Sequence, residues 1–174
     1  METKKNTCCF FGHRKIEETS ELKNALIKAI EALILTKNVH TFLFGSRSRF
    51  DSLCYKIVTE LKEKYPHIKR VYVRSAFRHI PDWYEDSLLE YYEATYFPEH
   101  MEKAGKASYV ERNQEMINKS DYCVVYYDEN YAPPRRKNSR RELTDYQPKS
   151  GTKLAYDYAV KKKRKIINVL KEAS

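Results

Sequence analysis

At 174 residues, 41% apolar and 33% charged, the chain has the length of one domain with a proper core and the make-up of a globular protein. No apolar run approaches the roughly 20 residues that cross a bilayer, and the opening Met1-Glu2-Thr3-Lys4-Lys5-Asn6 leads into a short apolar stretch with neither an h-region nor a signal-peptide cleavage site, so no membrane partner is expected and the chain reads as cytoplasmic. A formal net charge of +9 fits an anionic small ligand, nucleic acid or a solvated basic surface, and charge alone does not separate them.

The elements alternate along the chain. Residues 7–11 form an apolar strand stopped by Gly12. Apolar positions Leu22, Ala25, Leu26, Ala29, Ile30, Leu33 and Ile34 have helical spacing over residues 21–35, with Thr19 or Ser20 as the capping oxygen. A second strand at 41–44 ends at Gly45. Leu53, Ile57, Val58 and Leu61 mark a helix with Asp51 near its start and Pro66 at its end. Residues 68–73 read as a third strand and 82–92 as a helix with Trp83, Leu88 and Leu89 on one side. A short strand at 94–96 and a helix at 109–118 follow. Residues 122–127 lack polar alternation, as suits a strand covered on both faces. Residues 151–163 read as a helix and 165–170 as the last strand. This alternation predicts an α/β domain of Rossmann-like, three-layer type, with a mostly parallel sheet and helices on both faces. The whole chain, 1–174, reads as one such domain, with residues 129–150 as a basic insert loop rich in Pro and Arg.

The four cysteines carry no metal signal. Cys8 and Cys9 are adjacent and would face opposite sides of a strand, while Cys54 and Cys123 stand apart with no C-x-x-C spacing. They read as buried apolar residues in a reducing compartment, and no metal site is expected.

In a parallel α/β sheet, ligands bind beyond the carboxyl ends of the strands. The segments expected there are Gly12-His13-Arg14, Gly45-Ser46-Arg47 with Asp51, Arg74-Ser75, and Ser150-Gly151-Thr152. A glycine lets backbone approach an anion, and the first amides of a helix point at it. Arg14, Arg47 and Arg74 add forked cations. Each motif alone also reads as a plain turn or helix cap, and His13 as a loop-packing residue. Arg112 and Asn113, near a helix start, would hold a phosphate or ribose, or tie down the preceding loop. Convergence on one edge is what favours a phosphate-bearing ligand.

The run Cys8-Cys9-Phe10-Phe11-Gly12-His13-Arg14 closely resembles the C-C-F-T-G-H-R opening of the YpsA-like branch of the SLOG superfamily. The resemblance continues through the Gly45-to-Asp51 turn, residues 62–69 with Tyr65-Pro66-His67, Arg112-Asn113, Ser120-Asp121 and Ser150-Gly151-Thr152. It implies a Rossmann-like fold and binding of nucleotides or NAD-derived molecules, such as an ADP-ribose relative, at the sheet edge, with no cofactor required. It also implies self-association, taken here as a homodimer. The superfamily includes LOG-type phosphoribohydrolases, the DNA-processing protein DprA and sensor domains of defence effectors. LOG enzymes carry P-G-G-x-G-T-x-x-E with a catalytic glutamate. Here the turn is Pro148-Lys149-Ser150-Gly151-Thr152, and the position three after Thr152 is Ala155, which argues against that hydrolysis.

Three functions follow as expectations. The first is a ligand-binding module that senses or sequesters a nucleotide-derived molecule. The second is a hydrolase of N-glycosidic or phosphate bonds, with Asp51, Glu111, Glu115 and Asp128 as candidate acids or bases, none in a motif that commits it. The third is nucleic-acid binding of DprA-like type through residues 133–141 and 161–165, although the lysine run also suits a helix C-terminus.

Overall fold

The computed structural model describes residues 4–45, 48–101, 106–130 and 151–172. Strands β1 (Thr7–Gly12), β2 (Thr41–Phe44), β3 (Lys69–Val73), β4 (Ala94–Tyr96), β5 (Tyr122–Tyr126) and β6 (Lys165–Asn168) alternate with helices α1 (Ser20–Lys37), α2 (Arg49–Lys64), α3 (Asp82–Tyr91), α4 (Lys106–Asn118) and α5 (Gly151–Lys161), and the short α6 (Val169–Glu172) follows β6. The six strands form one sheet in the order β4-β3-β2-β1-β5-β6. Every pairing is parallel. The sheet is therefore all-parallel, where the sequence asked for mostly parallel. Among the described residues no helix is long and apolar enough to cross a membrane.

Period-two alternation in β1 builds both layers. Cys8 and Phe10 face α1, α2 and α6, where Phe42, Phe44, Phe50, Leu26, Ile30 and Val58 complete the larger core. Phe10 stacks on Phe42 and Phe44, with centroids 6.0 and 5.2 Å away. Cys9 and Phe11 face the other layer, where Met116 and Ile117 of α4 and Ala155 and Ala159 of α5 pack. All four thiols are buried. Cys123, isolated in sequence, pairs in register with Cys9, and their Sγ atoms lie 3.5 Å apart.

Local signals set the helix ends. Thr19 caps α1, its side chain accepting from the Leu22 N–H, and Asn38 stops the helix in the left-handed region at φ 55°. Ser48 caps α2, its Oγ accepting from the Asp51 N–H at 3.1 Å. The helix expected at 82–92 is present as α3, with none of its residues buried and Trp83 71% exposed. One sequence expectation needs correction. The last strand ends at Asn168, whose Oδ1 accepts from the Tyr127 and Leu170 N–H groups, and the chain then turns into α6.

Candidate functional site

All six strands point the same way, so every strand end opens on one edge of the sheet. Two clusters stand there. The first lies between β1 and β5, where the chain order reverses: β1 leads through α1 to β2 on one side, and β5 leads through α5 to β6 on the other. Such a switch point leaves a crevice. His13 spans it. Its ring is 3% exposed, its Nε2 accepts the Asp128 backbone N–H at 2.9 Å, and Tyr126 and Tyr127 each lie 6.0 Å away, centroid to centroid. Accepting at Nε2 requires the neutral Nδ1–H tautomer. Burial pushes the His13 pKa down from its ordinary value, and the Asp128 charge and hydrogen bond oppose that in part. Asp128 Oδ1 in turn accepts the Asn130 N–H at 2.9 Å, which turns the chain as it leaves the sheet.

Gly12 serves packing here. A Cβ at this position would meet Phe50 ring and Cβ atoms at 2.3–2.5 Å. Only glycine lets the first turn of α2 close over the end of β1. Arg14 is exposed, and its carbonyl accepts the Arg49 N–H at 3.3 Å. Its backbone is thus tied to the start of α2, and its side chain is exposed just past the end of β1.

The second cluster lies at the ends of β2 and β3. Arg112 of α4, 6% exposed, donates from NH1 to the Gly45 carbonyl at 2.6 Å and to Ser75 Oγ at 3.2 Å. Its Nε and NH2 donate to Asn113 Oδ1 at 3.4 and 3.3 Å. The guanidinium thereby ties α4 to the loops that follow β2 and β3, where the sequence reading names the loop before α4. Gly45 makes room for it: a Cβ there would lie 2.9 Å from Arg112 Cδ and Nε and 3.0 Å from the Val73 carbonyl.

Asp51 and Arg74 behave differently. Asp51 is 5% exposed, and its Oδ1 is buried with no hydrogen-bond partner among the described residues. Burial raises its pKa well above the usual carboxylate range, against the opposing charge of Arg112. Arg74 donates from NH1 to the Arg78 carbonyl at 3.2 Å and lies 6.0 Å from the Phe97 ring, but its Nε is buried without a partner among the described residues. These two atoms are hydrogen-bonding capacity left unmet among the described residues.

Of the remaining sequence candidates, Thr152 is buried in the first turn of α5 and Gly151 is exposed, with open space where a Cβ would go. Ser46, Arg47 and Ser150 lie outside the described residues, as does the insert from 131 to 150. No group of three or more metal-ligating side chains occurs among the described residues. Sequence reasoning did not find Ser75's bond to Arg112, nor the tyrosines beside Asp51. The pairs Asp51/Tyr55 and Tyr84/Leu88, each at i,i+4 spacing, were the available signal.

An all-parallel six-stranded sheet whose chain order reverses between β1 and β5, with helices on both faces, defines a Rossmann-like α/β fold. The family model described as the YspA SLOG family (YpsA) matches residues 4–158, and the chain belongs to that family. An uncharacterized SPbeta prophage-derived protein of Bacillus subtilis (strain 168), YoqJ, is 29% identical over 125 residues, covering 62% of this chain and 72% of that one. In structure, the chain is similar to DNA processing protein A of Streptococcus pneumoniae, with a TM-score of 0.56 and 13% identity over 92% of this chain. This chain spans about half of that one, 48%. It is also similar to DNA processing protein A of Helicobacter pylori, described for its single-stranded DNA binding mode, with a TM-score of 0.52, 15% identity, and coverage of 95% of this chain and 70% of that one. At these identities the likeness to both DprA proteins is one of fold.

Proposed function

We propose that the protein binds a nucleotide-derived, phosphate-bearing small molecule, NAD-like or ADP-ribose-like, at the carboxyl edge of its sheet, as a sensing or sequestering module. The observation that carries this reading is the all-parallel sheet, which gathers Gly12-His13-Arg14, Arg74, Arg112 and the starts of α2 and α5 on one edge. Free amides at helix starts and arginine forks are the groups that hold phosphate. The edge also retains two buried polar atoms with no partner among the described residues, on Asp51 and Arg74. Membership of the SLOG family supports the same reading, and four buried thiols suit the cytoplasm.

Binding without turnover is favoured over hydrolysis by Ala155. It is 3% exposed and belongs to the core between α5 and the sheet. A glutamate at this position would have its carboxylate in that apolar layer, where an unpaired charge is strongly disfavoured.

Nucleic-acid binding is the second reading, favoured by the +9 charge. Part of the basic run at 161–165 has a structural task instead. Arg164 Nε donates to the Ile117 carbonyl at 3.0 Å and NH2 to the Asn118 carbonyl at 3.4 Å, which caps the end of α4. That run precedes β6 and so lies at the sheet's amino edge, opposite the candidate site.

A thermal-shift panel of NAD, ADP-ribose, cyclic ADP-ribose, AMP and short DNA and RNA separates the readings. A ligand at 100 times its dissociation constant adds about 2.7 kcal/mol of stability. The proposal expects a nucleotide-type molecule to raise the melting temperature and the exposed Arg14→Ala variant to reduce the effect. A shift with DNA or RNA alone would overturn it in favour of the second reading.

A further inference from the structure

One cavity beside the sheet edge combines aromatic walls with a buried carboxyl oxygen that has no hydrogen-bond partner among the described residues. It lies between α2, α3 and β3, measures about 320 Å³, and is lined by Asp51, Tyr55, Tyr72, Tyr84, Leu88 and Tyr92. Pockets for small organic ligands run from roughly 300 to 1,000 Å³. Asp51 and Tyr55 are one turn apart on α2, and Tyr84 and Leu88 one turn apart on α3, so each helix turns one stripe toward the cavity. This gives a use to α3, which buries no residue in the core.

The aromatic wall is set before any ligand arrives. The Tyr55 and Tyr92 centroids are 5.0 Å apart, and those of Tyr72 and Tyr92 are 5.2 Å apart. Phe44 of the core backs Tyr55 and Tyr92 at 5.6 and 6.1 Å. The Tyr55 hydroxyl donates to the Tyr91 carbonyl at 2.6 Å, which fixes that ring. A preorganised wall loses little freedom when a flat molecule packs on it. Asp51 supplies the polar end. The charged and titratable groups that act on its carboxyl come from three elements: Arg112 of α4, Cys54 of α2, and Tyr92 just past α3. None of these is hydrogen-bonded to Oδ1.

We infer that this cavity is the base subsite of the nucleotide ligand, taking an aminated heterocycle of the adenine type, with its ring against the tyrosines and an N–H on Asp51 Oδ1. The inference rests on the sheet-edge reading of the phosphate site. The two sites adjoin: Asp51 is in the first turn of α2, the helix that starts at the edge after Gly45, and it feels the charge of Arg112. Without a base, a phosphate-bearing ligand has no use for the tyrosine wall.

Calorimetric titration of AMP, IMP, ribose 5-phosphate and adenosine against the full chain and its Tyr84→Ala, Leu88→Ala and Arg14→Ala variants tests this. Tyr84 and Leu88 are half-exposed on a helix outside the core, so their loss leaves the fold intact. The expected result is AMP binding more tightly than IMP, which lacks the amino group, and than ribose 5-phosphate. Tyr84→Ala weakens AMP and adenosine by at least about fivefold, the loss expected when a base loses an aromatic neighbour, and leaves ribose 5-phosphate unchanged. Arg14→Ala weakens AMP and ribose 5-phosphate and spares adenosine. Equal binding of AMP and ribose 5-phosphate, or AMP binding untouched by both Tyr84→Ala and Leu88→Ala, overturns the base subsite and leaves the sheet-edge reading standing. Equal binding of AMP and IMP overturns the amino group as the donor to Asp51 Oδ1, since IMP keeps only its ring N1–H on that edge. Tyr84-dependent binding of adenosine with no response to ribose 5-phosphate sustains the base subsite and overturns the phosphate reading. Absence of binding by all four compounds overturns both.

Discussion

The two ends of the sheet edge are built on opposite plans. At the β1/β5 crevice, Gly12 vanishes under Phe50, and His13 receives the Asp128 amide across the gap. That region is locked by its own contacts, and Arg14, exposed beside Lys15, is a part left to meet a ligand. At the β2/β3 end, Arg112 is also locked, to Gly45 and Ser75, yet Asp51 Oδ1 and Arg74 Nε are buried without partners among the described residues. A protein keeps such groups where something outside the chain completes them, because each otherwise costs stability. Motif residues at one edge thus divide into those that hold the edge together and those that leave it receptive.

The largest effect expected from breaking this division is at Gly12. Gly12→Ala should lower stability by about 3 kcal/mol, because Phe50 is fully buried and has little room to move. At about 2–4 °C per kcal/mol for a chain of this length, the melt should fall by roughly 6–12 °C. Phe50→Leu in that background should recover part of the loss, a coupling that a double-mutant cycle detects.

His13→Ala comes next, at about 1–3 kcal/mol, through the amide left unmet on Asp128. His13 also fixes a pH signature. Its folded pKa is depressed, so the unfolded state binds more protons as pH falls through about 6.5. The wild type should therefore lose stability on acidification in that window, and denaturant melts between pH 7 and pH 5 should show a shallower decline in the variant.

Asp51 runs the other way. Its folded pKa is raised, so above about pH 3.9 the unfolded state releases a proton that the folded state keeps, and stability falls as pH rises. Asp51→Asn removes that term, and the variant should gain on the wild type by up to about 1.4 kcal/mol per pH unit as pH rises from 4 toward the folded pKa. A constant difference across pH would contradict the raised pKa of Asp51. The smallest effect is at Arg14→Ala, where stability should change by less than about 0.5 kcal/mol while nucleotide affinity drops.

Much of the fold was legible because burial follows period. The run Thr41 to Phe44 and the Leu22-to-Ile34 spacing are read by the sheet and by α1 as written. The switch from strand to helix after Asn168 was not legible, since Val169 and Leu170 suit either state and Asn168's side chain decides. Trp83 and Leu89 marked α3, but apolar spacing reports a helix and its stripe, not whether a core lies beneath it. At the site, Gly12 reads from the sequence as part of a candidate ligand segment and Gly45 as an anion cradle or a plain turn, while the side chains that crowd them, Phe50 and Arg112, come from different elements. Close approach between distant segments leaves no local signature. The tyrosine wall was hidden for the same reason: Tyr55, Tyr72, Tyr84 and Tyr92 meet only once α2, β3 and α3 are assembled.

The most direct test of the central claim is amide chemical-shift mapping with ADP-ribose. A ligand at the carboxyl edge should perturb the amides of His13, Arg14, Gly45, Asp51 and Ser75 and leave Asn38 and Lys163, at the opposite edge, unmoved. Perturbations confined to that opposite edge, or no perturbation at saturating ligand, would contradict it.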